Sequence, residues 1–397
     1  MKDFDVIIIG AGPGGYVSAI KCRQVSSKLV GGIDYLMKKN GVSLFYDHAM
    51  IVDVNSVELK NQGIIIRCKD LIIATGAKAT GIPDVEVDGK TILLPKDALS
   101  ITEVPRKTAI IGAGSIGMEF AYIWNTYGSE VTVFEWFDRI LPKEDPDLSN
   151  ELEKAINKKG IKTKTGTKII ALKKGSDGVT LSVEKSGQGV TAHEFDTVLF
   201  AMGIKPNTEE FGIKKLGLKL EKGYISVNEK METSIPHVYA IGDVTGKFPL
   251  AHVASNQGLI AVEAIAGLEP EPINYKQIPK CTYCNPEIAS IGLTEEEAGA
   301  VRKDVKTGVF PFSANGKALS LDVDTGFVKM VSDGKTGEVL GVHMIGPNVT
   351  EMISGISVAM KMEVSVEEIA SSIHPHPTLS EAIQEASHGI MGHYLSI

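Results

Sequence analysis

The residues best suited to chemistry stand near the end of the chain, where His374-Pro375-His376-Pro377 is followed by Thr378 and, three positions on, Glu381. A histidine with a carboxylate in reach can work as an oriented acid or base, because the carboxylate selects which ring nitrogen carries the proton. Two histidines held between prolines are hard to read as core or as indifferent surface. Thr378 and Glu381 also fit a capping box, which would give Glu381 a structural duty at the start of the last helix. From the spacing alone both duties stay open.

Two glycine clusters carry a second kind of chemistry. Residues 6–9 read as a buried strand that runs into Gly10, Gly12, Gly14 and Gly15, and residues 108–111 read as another that runs into Gly112, Gly114 and Gly117. A helical stretch follows each, to about Gln24 in the first copy and over 118–127 in the second. In such a strand–turn–helix the first glycine allows the tight turn and the second lets a pyrophosphate approach the backbone. The third lets helix pack on strand, with the helix N-terminus facing the phosphates. Two such units in one chain indicate two dinucleotide-binding folds. After the second, strand 131–134 ends at Glu135, eighteen residues past Gly117. A carboxylate there accepts hydrogen bonds from a ribose and repels a 2′-phosphate, which selects NAD(H) over NADP(H). Arg139 is the one nearby residue that works against that preference. After the first unit, residues 25–40 read as amphipathic helix, so neither a second strand nor a ribose carboxylate can be placed there.

Other signals are shorter. Strand 69–74 stops at Thr75-Gly76, strand 195–202 stops at Gly203, and the apolar run 238–241 stops at Gly242-Asp243. An Asp beside Gly at a strand end is most often a turn residue; downstream of a glycine-rich dinucleotide fold it can also bind a flavin's sugar-alcohol chain. Cys281-Thr282-Tyr283-Cys284 has the spacing of a redox pair. If the segment is a strand, side chains three apart point to opposite faces and cannot bridge, so a structural, reduced role is expected. No metal site is assigned.

Composition bounds the rest. A chain of 397 residues is long enough for two or three domains. The balance of 41 Lys and Arg against 49 Asp and Glu gives a net charge of −8 with no long basic run, which makes nucleic acid and anionic membrane unexpected partners. Neither a signal peptide nor an 18-residue apolar window is present in the sequence as it stands. Four cysteines are not a secreted disulfide framework, and a cytoplasmic protein is expected. From about residue 273 the pattern changes to alternating strands (326–332, 339–345) followed by helices (349–362, 365–372, 379–388), as in a separate α+β domain.

In order along the chain, GAGPGG, LIIATGAK (71–78), AIIGAGSIGMEFA (109–121), VFE (133–135), LFAMGIKPNT (199–208), VYAIGDV (238–244), PEIASIGLTEEEA (286–298) and HPHPTLSEA (374–382) resemble the dihydrolipoamide dehydrogenases of the pyridine nucleotide–disulfide oxidoreductase family. The resemblance covers nearly the whole chain. It implies an α/β protein with two Rossmann-like domains, one for FAD (1–104 with 231–272) and one for NAD (105–230), and a C-terminal α+β dimerisation domain (273–397). It further implies a homodimer that serves the lipoyl domains of a 2-oxo acid dehydrogenase complex or a glycine-cleavage system. Electrons would pass from dihydrolipoamide through a redox disulfide and FAD to NAD+. By position, His376 is the acid/base that reaches the partner subunit and Glu381 orients it. Asp243 with Gly242 binds the flavin chain, Gly10, Gly12, Gly14 and Gly15 its pyrophosphate, and Glu135 the NAD ribose. Thr75, Gly76 and Gly203 join the cofactor-binding set, and Glu119 matches a carboxylate that pairs with a Lys near the flavin.

One departure is large. The family segment that carries both redox cysteines and that Lys is absent; it belongs near residues 24–28, where two helices abut, and would amount to roughly 50–80 residues. Cys22 and Cys68 stand outside any motif. Three origins fit: a stretch the protein has but this sequence lacks, an engineered deletion, or a gene for a truncated relative. A true deletion would leave a buried sheet edge unpaired, which argues for the first. Without the segment, the chain would be an NADH diaphorase or a non-catalytic dimer partner.

Overall fold

The computed structural model describes Lys28, residues 31–185 and residues 187–396. The first glycine cluster, Cys22 and residues 24–27 of the junction lie outside the described residues. The chain divides into two compact units: the described part of Met1–Lys78 with Lys96–Glu103 and Ile204–Ile273, and a second made of Ala79–Pro95, Val104–Gly203 and Asn274–Ile397. Residues 204–230, read from sequence with the NAD domain, cluster with the first unit.

In the first unit, Leu71–Ile73 pairs in parallel with Val238–Ala240, and both are short apolar runs over a core that includes Ile51, Ile213 and Ile225. The antiparallel strands Ala49–Asp53, Ser56–Leu59 and Ile64–Arg67 form a separate sheet. A 3-10 turn over Gly242–Thr245 leads towards the helix Ala251–Ile265. Residues 31–39 are helical, as the amphipathic pattern suggested, with Ile33 and Tyr35 largely exposed.

The second unit holds a five-stranded parallel sheet in the order Ile92–Leu93, Thr197–Phe200, Lys107–Ile111, Glu130–Phe134, Lys162–Lys164. Thr197–Phe200 is buried at every position, the pattern of a strand covered on both faces. The helix Ser115–Thr126 follows Lys107–Ile111 and presents Met118, Ala121 and Trp124 to the interior. An antiparallel meander of Thr167–Lys174, Val179–Lys185 and Gly189–Phe195 packs alongside; Val179, Leu181 and Val183 alternate inward into the same core.

Downstream, an antiparallel sheet runs Lys280–Thr282, Glu287–Gly292, Val339–Gly346, Phe327–Asp333, Val305–Pro311. Helices Val349–Lys361, Val366–Ser371 and Glu381–Ile390 contribute to its core. This is the α+β arrangement expected from the change in sequence pattern. Among the described residues no helix is long and apolar enough to cross a membrane.

A buried ion cluster joins these two sheets. Lys329, in the middle of Phe327–Asp333, is 3% exposed and lies 3.1 Å from Asp145, 2.6 Å from Asp147 and 2.8 Å from Glu295. Asp145 caps the helix Pro146–Lys158 through the Asp147 N–H. Burial works against ionisation of Asp145, but His343, Lys329 and the Asp147 N–H outweigh it and hold its carboxyl below the usual range. Burial likewise disfavours the Lys329 ammonium, and its three carboxylates reverse that.

Removing one partner from a buried pair leaves an uncompensated charge, so Lys329→Met is expected to destabilise the second unit by about 3–5 kcal/mol. Trp124 and Trp136 both lie in that unit, so urea unfolding followed by their fluorescence measures it. Because Asp145 is depressed on folding, its stabilisation is complete above about pH 4 and is lost as pH falls through the folded value. The fall of the urea midpoint between pH 5 and 3, in those about two units, is expected to be shallower in Lys329→Met.

Candidate active site

The second glycine cluster has the geometry its spacing implies. Gly112 has φ +104 and its missing Cβ would run into the Ala201 backbone, while a Cβ on Gly117 would collide with the Gly112 carbonyl oxygen. Both therefore serve the close packing of helix, turn and strand. Gly114 differs: its φ is −73 and a Cβ there would meet nothing within 4 Å. Its lack of a side chain is unused by the protein, and the free space lies where a pyrophosphate would approach the N-terminus of Ser115–Thr126.

Glu135 is 7% exposed and is no solvated strand-end residue. One carboxylate oxygen accepts the Ala113 N–H at 2.6 Å and the other the Phe137 N–H at 3.0 Å. The carboxylate is thus fixed against the glycine turn, and each oxygen keeps a further lone pair for a ribose hydroxyl. Arg139 reaches towards Glu296, 3.9 Å away. These residues fit NAD.

In the first unit, Gly242 has φ +73 and its N–H donates to the Gln257 side chain at 2.6 Å. Burial raises the Asp243 carboxyl above its ordinary value, and its side chain makes no hydrogen bond to another described residue. A half-buried acceptor without a protein donor fits a hydroxyl-rich ligand chain, as expected of FAD. Thr75 and Gly76 are stitched to Asn207: Thr75 Oγ1 donates to the Asn207 carbonyl, the Asn207 amide to the Thr75 carbonyl, and the Asn207 N–H to Gly76. Gly203 has φ +149 and accepts from Thr80.

His376 and Glu381 come together. Nδ1 of His376 is 2.8 Å from one Glu381 oxygen, and the Thr378 N–H donates to the other at 2.7 Å. Partial burial of Glu381 acts against its charge, but the Thr378 N–H and then His376 hold its pKa below the ordinary value. An ionised carboxylate only accepts, so Nδ1 carries the hydrogen, and in the neutral ring the free lone pair is then on Nε2. The His376 side chain is 78% exposed. The expected capping box is half present. Glu381 binds the Thr378 N–H, but the helix begins at Glu381 with Ser380 as its cap residue, and the Thr378 hydroxyl turns back to the Pro375 carbonyl. The hydroxyl is used to close the His-Pro loop, which leaves none for a cap.

The Cys-x-x-Cys lies at the end of Lys280–Thr282. Cys281 and Cys284 are free thiols, and burial pushes Cys284 up to about 12, which keeps it from being a nucleophile at neutral pH. Glu119 accepts the Tyr283 N–H at 2.9 Å, so it docks the helix Ser115–Thr126 onto this segment. Its expected lysine partner belongs to the absent stretch. Sequence reading missed Asn207 and Gln257 as holders of the strand ends; Asn207 stood inside a quoted motif, and Gln257 carried no signal.

A family profile described as pyridine nucleotide-disulphide oxidoreductase matches residues 24–258, and that family's dimerisation domain matches residues 278–387. The dihydrolipoyl dehydrogenase of Bacillus subtilis is 44% identical over 378 residues, 92% of this chain and 80% of that protein. That of Corynebacterium glutamicum is 37% identical over 467 residues, taking in 100% of this chain and 99% of the relative. Since the chain has 397 residues, at least 70 of those aligned positions (467 less 397) have no counterpart in it. Among solved structures, LpdA from Mycobacterium tuberculosis superposes with a TM-score of 0.84 at 26% identity, over 93% of this chain and 82% of that one.

The glycine geometry separates binding from folding. Gly114→Ala is expected to stay within about 1 kcal/mol of the parent's stability and to weaken NADH binding by at least about tenfold, because its Cβ meets no protein atom and enters the space where the pyrophosphate approaches. Gly117→Ala is expected to lower stability by about 1–3 kcal/mol or more, through overpacking. Thermal melts beside fluorescence titration with NADH check both.

Proposed function

The chain belongs to the pyridine nucleotide-disulphide oxidoreductase family, alongside the dihydrolipoyl dehydrogenases, and from that premise we propose that it reoxidises protein-bound dihydrolipoamide with NAD+ as a cytoplasmic homodimer. FAD and NAD, the cofactors of this family, supply the two-electron acceptors. The observation that carries the reading is the His376–Glu381 pair, an imidazole held by a carboxylate through Nδ1 on a side chain that is otherwise largely exposed.

In this reading His376 takes the proton from a dihydrolipoamide thiol at Nε2 as the thiolate forms. Glu381 sets the tautomer and stabilises the resulting imidazolium. The exposure of the loop suits a base that serves the partner subunit's site. Gly112, Gly114, Gly117 and Glu135 would hold NAD. Gly10, Gly12, Gly14, Gly15, Thr75, Gly76, Gly242 and Asp243 would hold FAD, and Gly203 completes the cofactor-binding set. Residues 1–104 with 231–272 would make the FAD domain, 105–230 the NAD domain and 273–397 the interface domain. The partners would be lipoyl domains of a 2-oxo acid dehydrogenase complex or a glycine-cleavage system.

The disulfide that takes the dithiol's electrons is not supplied by Cys22, Cys68, Cys281 or Cys284, so the reading requires the family's redox segment, which the sequence pattern would place near 24–28. Intact mass and two assays test it together. Turnover of dihydrolipoamide with NAD+, from a protein several kDa heavier than the 42.5 kDa of this sequence, is the expected result. Reduction of a dye by NADH alone, at 42.5 kDa, would make the chain a diaphorase, and neither activity would make it a non-catalytic dimer partner. His376→Ala is expected to slow thiol oxidation by on the order of 10²–10⁴-fold while dye reduction stays within about twofold, because only the thiol half-reaction needs a base.

A further inference from the structure

The loop that carries His376 is exposed from Pro375 to Pro377, yet a base must hold its place to within about 1 Å. Its anchors lie elsewhere. Thr378 is bound at both ends of its backbone: its N–H goes to Glu381, and its carbonyl accepts the Asn315 side-chain amide at 3.0 Å. Asn315 is 4% exposed and sits 63 positions away, where its Oδ1 accepts the Ala318 N–H at 2.9 Å as N-cap of the short helix Gly316–Ser320. Gln384 fixes the other side of the loop, its amide donating to the Ala370 and Ser372 carbonyls at 2.9 Å.

We propose that Asn315 is a positioning residue for the base, one that holds the His376–Glu381 pair in register by clamping Thr378 to the core of the dimerisation domain. This rests on the reading of His376 as the base. The side-chain type follows from the two tasks. Asp would keep the cap but has no N–H for Thr378, Ser would keep a capping oxygen but is too short to span to the loop, and Ala would lose both. With the clamp gone, Thr378 is free to shift its N–H away from Glu381. The carboxylate then loses the donor that orients it towards Nδ1.

Asn315→Asp and Asn315→Ser separate this role from capping, since both retain a cap acceptor and Ser adds no charge. The direct readout is the nitrogen NMR signature of the His376 ring in uniformly labelled protein, assigned by difference with His376→Gln. The parent is expected to show His376 with hydrogen on Nδ1, and both variants, folded but with lower melting temperatures because a buried hydrogen bond is lost, a mixture of tautomers. Where dihydrolipoamide is turned over, kcat is expected to fall by about 10- to 100-fold with NADH–dye reduction unchanged. A tautomer that stays on Nδ1 in either folded variant overturns the role of Asn315. A parent with no dihydrolipoamide turnover, but with the tautomer change in its variants, removes the functional reading and leaves the positioning role standing.

Discussion

The charge on Lys329 is the constraint from which the second unit is organised. An ammonium 3% exposed is tolerated only where several acceptors converge, and here they come from two different folds. Asp145 and Asp147 stand at the head of a helix of the nucleotide-binding sheet, and Glu295 opens the helix Glu295–Val301 beside the downstream sheet. Burying the charge therefore requires both sheets to be formed and docked. The two cluster as one compact unit.

The docked sheet in turn supports the pair at His376 and Glu381. Leu379, Ala382, Ile383 and Ala386 sink into the same core as Phe312 and Ala318, so the last helix and the segment bearing Asn315 share one interior. The exposed His376 ring is thus backed by buried residues on either side of its loop. Local hydrogen bonds choose the tautomer, and long-range ones keep the loop where that choice is useful.

Features set by neighbours in sequence were legible. Thr108 to Ile111, the three glycines after them and Glu135 form one strand–turn–helix–strand unit whose roles follow from spacing, and the alternation over 179–185 marks a strand with one buried face. Cys281 and Cys284, expected to stay unbridged on a strand, are free thiols. What escaped depends on contacts that leave no periodic trace: Asn207 with Thr75 across 132 positions, and Asn315 with Thr378 across 63. The capping box failed in half because a proline carbonyl three residues earlier competed for the Thr378 hydroxyl. The grouping of 204–230 with the first unit rests likewise on distant contacts, with Ile213 and Ile225 packed beside Ile51 and Ile73 and Asn207 bound to Thr75.

The shared ion cluster also fixes where this architecture can be recombined. A graft that replaced the nucleotide-binding fold with that of a relative, to change the coenzyme used, would succeed or fail at its seam. Asp145 and Asp147 belong to the exchanged part by sequence but to the retained part by electrostatics, because Lys329 and Glu295 remain behind. A crossover placed before Asp145 keeps the charges balanced, whereas one placed after it must carry a donor helix with acidic residues at the same two positions.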